Sequence, residues 1–121
     1  MSFDELYREQ IMDHYRNPRN HGVLENFSFK FFDNNPLCGD EIEVRALVEG
    51  NVIKDVKFTG KGCSISQAAA SMLTETIKGK TLADVQGLTR DHVIEMLGIP
   101  IGVVRVKCAV LSLVALKNGI T

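Results

Sequence analysis

The spacing of apolar residues changes period twice along the chain, and each change marks a boundary. Phe3, Leu6, Tyr7, Ile11 and Tyr15 recur at helical spacing behind a Ser2/Glu5 capping-box pair, which predicts a first helix from about Phe3 to Arg16. Asn17-Pro18-Arg19-Asn20-His21-Gly22 ends it, because Pro18 cannot donate to a continuing helix. The period then falls to two. Phe27, Phe29 and Phe31 alternate with polar residues, and after a polar loop Ile42, Val44, Ala46 and Val48 do the same. Gly50-Asn51 reads as a tight hairpin into a third strand, where Val52, Val56 and Phe58 continue the buried parity, although Lys54 breaks it.

From Ile65 the helical period returns. Ile65, Ala68, Ala69, Met72, Leu73 and Ile77 form one stripe, with Gly79 as its C-cap. Thr81 and Thr89 stand as N-caps of two short segments, the second ending at Leu97-Gly98, and a last stripe of Val106, Val110, Leu113, Val114 and Ala115 runs to Asn118-Gly119. Strands come first and helices follow. That order predicts an α+β fold in which helices pack on one face of a small antiparallel sheet of about three strands.

Composition narrows the function. With 121 residues the chain has material for a single domain over 1-121, and 45% apolar with 24% charged residues is the proportion of a globular protein. A formal charge of -1 gives no attraction to nucleic acid or to an anionic membrane surface. The greasy stretch Val103 to Leu116 is interrupted by Arg105, Lys107, Cys108 and Ser112, so no membrane segment is expected. The acidic amino terminus lacks the order of a signal peptide, and three cysteines without secretory context fit reduced thiols in the cytoplasm.

The position of those cysteines is the informative feature. Cys38 lies in a loop before a strand, within Pro36-Leu37-Cys38-Gly39-Asp40. Cys63 follows Gly60-Lys61-Gly62 and immediately precedes a helix, and Cys108 is expected in the first turn of the last helix. At a helix N-terminus, unpaired N–H groups favour a thiolate, so Cys63 and Cys108 are expected to titrate below an ordinary thiol, with Lys61, Arg105 and Lys107 pushing the same way. All three cysteines are expected to avoid the apolar stripes. Three thiolates with the Asp40 carboxylate make a four-ligand set for tetrahedral zinc or for iron in an iron-sulfur cluster, and the hard oxygen donor weakens the hold on a soft centre. The plain alternative is three small buried thiols, since the intervals match no C-x-x-C pattern.

Other residues read as scaffold. His14 and His21 flank an Arg16/Arg19 turn that is best taken as solvated, and His92 as a helix-surface residue. Glu41, Glu43, Arg45 and Glu49 alternate with apolar positions as the wet face of a strand, and Ser64, Ser66 and Ser71 cap or pack a helix. Neither a Walker-type loop nor a G-x-S-x-G nucleophile site occurs.

Met12-Asp13-His14-Tyr15-Arg16-Asn17-Pro18-Arg19-Asn20, Asn35-Pro36-Leu37-Cys38-Gly39-Asp40, Gly60-Lys61-Gly62-Cys63-Ser64-Ile65-Ser66 and Val106-Lys107-Cys108-Ala109 together resemble the iron-sulfur cluster assembly scaffold family, of IscU, SufU and NifU amino-terminal type. The likeness spans essentially the whole chain and implies the IscU/SufE-like α+β fold. It also implies that Cys38, Asp40, Cys63 and Cys108 hold a transient [2Fe-2S] cluster, or zinc in its absence. Cys108 is then the expected acceptor of persulfide sulfur from a cysteine desulfurase, Asp40 the residue that keeps the cluster labile, and apo iron-sulfur proteins the recipients, with cluster binding on a monomer or a homo-oligomer left open.

Two departures bear on the type. Lys107 stands where IscU-type proteins carry His, and Ile99-Pro100-Ile101-Gly102-Val103 where they carry Leu-Pro-Pro-Val-Lys. Lys107 and Cys63-Ser64-Ile65-Ser66 resemble the SufU type, yet the extra segment that type has between its second and third cysteines is absent. The expected role is a scaffold and carrier rather than an enzyme. A zinc-dependent sulfurtransferase comes second and a structural zinc module third, the last because closed structural sites favour Cys and His over an exposed Asp.

Overall fold

The computed structural model describes residues 3–36 and 39–120. Ser2 of the anticipated capping box, and Cys38, lie outside the described residues. In chain order the elements are α1 (Phe3–Arg16), β1 (Phe29–Asn35), β2 (Asp40–Glu49), β3 (Val52–Lys61), α2 (Ser64–Ile77), α3 (Leu82–Gln86), α4 (Arg90–Leu97), α5 (Val103–Ala109) and α6 (Leu111–Ile120). The strands form one antiparallel sheet in the order β1-β2-β3. The fold is the α+β arrangement expected. Ile42, Val44 and Ala46 of β2 and Val56 and Phe58 of β3 are fully buried on the face that α2 and α6 cover, whereas Arg45 on the opposite face pairs with Glu43 and lies over the Phe27 ring.

Three expectations shift in the sheet. Phe27 lies before β1, and the strand instead runs on through Asp33, Asn34 and Asn35, which the sequence reads as loop. Asn and Asp are poor strand formers, but pairing of Asn34 with Glu41 and Asn35 with Asp40 overrides that preference. Asn35 thereby shares the parity of Phe29 and Phe31 and is buried at the end of the helix-covered face. In β3, Leu47 pairs with Asp55 and Val48 with Ile53, so Lys54 is the extra residue of a bulge. The bulge resets the parity: Ile53 is fully buried, and Val52 only partly.

α2 is the central helix. Its expected stripe is buried, and so are Ser66, Ala70, Ser71 and Thr74, because α1 packs on the side away from the sheet. The C-cap is Lys78, one residue before the glycine expected there, and Gly79 follows with φ +88°. Thr81 with Asp84, and Thr89 with His92, form the caps of α3 and α4. His92 is thus exposed as expected, but it also closes a capping box through Nδ1.

The Asn17–Gly22 turn is not merely solvated. Gly22 N–H donates to Phe58 O at 2.9 Å and Phe58 N–H to Asn20 O at 2.9 Å, which covers the outer edge of β3, while the His21 ring stands edge-on to Phe58. His14, read from sequence as part of that wet turn, is 5% exposed. Its Nδ1 lies 2.7 Å from Ser71 Oγ, which also accepts from Arg19 N–H at 2.8 Å, and Nε2 lies 4.0 Å from Glu75. With Ser71 Oγ already accepting from Arg19, the assignment that satisfies every group has Ser71 donating to an unprotonated Nδ1 and the neutral ring carrying its proton on Nε2.

Burial, and then the Arg19 charge, hold the His14 pKa below its usual 6.5. The unfolded chain then takes up this proton at higher pH than the folded one, so stability is complete above the unfolded value and falls as pH drops below it. Urea midpoints measured at about pH 7.5 and about pH 5.5 should therefore differ, the acid value being lower, and His14→Asn should shrink that difference.

Candidate metal-binding site

The site assembles where the sheet meets two helix ends. Asp40 opens β2, Cys63 is the N-cap residue of α2, and Cys108 lies in α5. One ligand atom from each of the three comes within 4.8 Å of the others. Tetrahedral coordination at about 2.3 Å per sulfur asks for ligand separations of about 3.7 Å, so roughly 1 Å of adjustment brings all three onto one ion. Two thiols and a carboxylate suit zinc or iron. Cys38, two residues before Asp40, lies outside the described residues.

Asp40 is 1% exposed, not the exposed carboxylate the sequence suggests. Its Oδ1 accepts the Cys63 backbone N–H at 2.9 Å, and Oδ2 lies 3.9 Å from Cys63 Sγ. One oxygen is committed to the start of α2 and the other faces the sulfurs. The carboxylate thus satisfies the backbone N–H of the N-cap residue itself, while the Cys63 side chain makes no cap bond to the first turn. Gly62 makes this approach possible: a Cβ there would overlap Asp40 Oδ1 and Ser66 Oγ.

Cys63 sits at the N-terminus of α2 as expected, partly exposed, with Ser66 Oγ donating to its carbonyl at 3.1 Å. Cys108 does not match its expectation. α5 begins at Val103, so Cys108 falls in the last turn of that helix, before a bend at Val110, where the N-terminal field cannot act on it. Nor does it avoid the apolar face, being 2% exposed at the head of the buried run to Leu113.

The three cations sit on the elements that carry the site, Lys61 at the end of β3 and Arg105 and Lys107 in α5. Lys61 Nζ is 3.5 Å from Glu41 and largely solvated. Arg105 lines a groove of about 370 Å³ with Arg8, Ile65 and Ile101, and Lys107 lines one of about 230 Å³ with Arg90 and Asn35. Sequence reasoning gave no role to Asn35, whose Nδ2 donates to Cys108 Sγ at 3.8 Å. Its signals were its place at the head of the Asn35–Asp40 motif and its parity with Phe29 and Phe31, the latter masked by the polar run around it.

A family model described as the NifU-like N-terminal domain matches residues 6–121. The chain belongs to this family. Within it, the chain is 43% identical to the zinc-dependent sulfurtransferase SufU of Bacillus subtilis, over 98% of this chain and 92% of that protein. It is 35% identical to the iron-sulfur cluster assembly scaffold protein IscU of Haemophilus influenzae, over 94% of this chain and 92% of that one. A 41% match to IscU 1 of Archaeoglobus fulgidus covers 77% of this chain but 61% of the archaeal protein. The solved structure of FiSufU from Fervidobacterium islandicum AW-1, described as an assembly scaffold for the SUF system, superposes with a TM-score of 0.82 at 30% identity, over 93% of this chain and 95% of that one. The alignment with the Bacillus SufU spans 136 positions against a chain of 121, so that relative carries residues with no counterpart here. No helix among the described residues is long and apolar enough to cross a membrane.

Proposed function

We propose that this protein is a cytoplasmic scaffold on which a labile [2Fe-2S] cluster is built from desulfurase-derived sulfur and then handed to apo acceptor proteins. The observation that carries the reading is the meeting of Asp40, Cys63 and Cys108 within 4.8 Å, from three elements far apart in sequence. Cys38, two residues from Asp40, is the proposed fourth ligand-bearing residue. Membership of a family that includes IscU proteins supports it.

In the sulfur step, the Cys108 thiolate attacks the outer sulfur of the desulfurase persulfide. The S–S bond to the desulfurase cysteine breaks, that cysteine leaves as a thiolate, and a new S–S bond forms on Cys108. Conversion of this sulfane sulfur to sulfide takes two electrons from a reduced electron-transfer protein or a dithiol. Because Cys108 is buried, docking of the desulfurase has to expose it, whereas Cys63 is already partly exposed. Asp40, with only one oxygen left for metal, is the weak ligand through which an acceptor enters.

The second reading is a zinc-dependent sulfurtransferase, favoured by the 43% identity to a protein of that name. Zinc there would sit on the same thiolates and carboxylate and mask them until sulfur arrives. Anaerobic addition of ferrous iron, cysteine and a cysteine desulfurase separates the two. The scaffold reading expects a visible cluster chromophore that moves to an apo-ferredoxin. Tight zinc retention, faster desulfurase turnover and no transferable cluster would establish the other.

A further inference from the structure

Asn35 is a buried side chain against the site that neither the four-ligand set nor the sulfur step uses. It closes β1 directly opposite Asp40, so the two side chains lie on the same face of the sheet, and it is 8% exposed. Its Nδ2 reaches Cys108 Sγ across 73 residues of sequence at 3.8 Å, within the longer range of N–H···S contacts. A thiolate bound to metal has lone pairs and no proton to give, so the amide must present its N–H₂ edge to it, since the carbonyl edge would be repelled. The bond therefore has one workable polarity, and it favours sulfur that carries charge.

We propose that Asn35 is a positioning residue for the bound centre: its amide fixes Cys108 Sγ beside Asp40 and Cys63 and withdraws electron density from that sulfur when it ligates metal. The inference rests on the proposed ligand set, and it adds an electronic control that the ligands alone do not supply. Hydrogen bonds to ligand sulfur raise the reduction potential of an iron-sulfur centre and set how firmly the ligand binds. Asn35 also forms part of the groove lined by Lys107 and Arg90.

Cobalt(II) is the probe, because its charge-transfer band reports the thiolate ligands directly and needs no cluster assembly. Wild type should bind it with an intense near-ultraviolet band. Asn35→Leu, similar in shape and without a donor, should bind about 10- to 100-fold more weakly with the band moved to lower energy. Asn35→Asp, which places an acceptor against the sulfur, should bind more weakly still. Circular dichroism and urea midpoints identify any variant that fails to fold, and Asn35→Ser, which keeps a small donor, should fall between wild type and Asn35→Leu. A wild-type protein that binds cobalt without a thiolate band overturns the ligand set itself. A normal wild-type band with folded variants of unchanged affinity and band position overturns the role of Asn35 alone, and weakened binding with an unmoved band reduces it to packing.

Discussion

Cys108→Ser is expected to abolish persulfide formation while leaving the fold in place. Serine keeps the size of the side chain, and its hydroxyl can still accept the Asn35 amide, so the buried position at the end of α5 is not emptied. What is lost is the nucleophile, because a hydroxyl cannot attack a persulfide sulfur at neutral pH. After incubation with desulfurase and cysteine, mass spectrometry should find one added sulfur on the wild type and on Cys63→Ser, and none on Cys108→Ser. Normal labelling of Cys108→Ser would move the acceptor role to Cys63 or Cys38.

Asp40→Ala should prolong the life of the assembled cluster several-fold, read as slower decay of its visible absorbance and slower transfer to an apo-ferredoxin. The carboxylate is the one hard donor in a soft ligand set, and removing it removes the exchange point. Unchanged or faster transfer would contradict this. The structure adds a second consequence. Asp40 Oδ1 is the acceptor for Cys63 N–H, so alanine leaves a partly buried donor at the start of α2 without this partner, at a cost of about 1 kcal/mol. Asp40→Asn separates the effects, because its carbonyl can keep the Cys63 bond while the charge is gone. It should show longer cluster life with a smaller loss in urea midpoint than alanine.

The fold was largely legible because each element carries its own period and its own stops. The stripe Ile65 to Ile77, the threonine caps at Thr81 and Thr89 and the Gly98 C-cap are local signals, and the structure follows them within a residue. Where the reading failed, pairing or packing with another element decided. Asp33 to Asn35 became strand through pairing with β2, Lys54 became the extra residue of a bulge because Val48 pairs with Ile53 and Leu47 with Asp55, and His14 was buried by α2, 57 residues away. The bend at Val110 lies within an apolar run that offers no breaker, so no local signal moves Cys108 from the start of a helix to the end of one.

Taken alone, the amino-acid sequence determined the element types and their order, the one-sided sheet, and the residue types able to bind a soft metal, since period, caps and thiol chemistry are properties of short stretches. Only the tertiary structure decided that Asp40, Cys63 and Cys108 meet, that Asp40 divides its two oxygens between a helix start and the sulfurs, and that Asn35 stands behind Cys108. The reason is geometric. Side chains 23 and 45 or more residues apart meet only once strand register and helix packing fix their separation, and neither quantity is written in any local run of the chain.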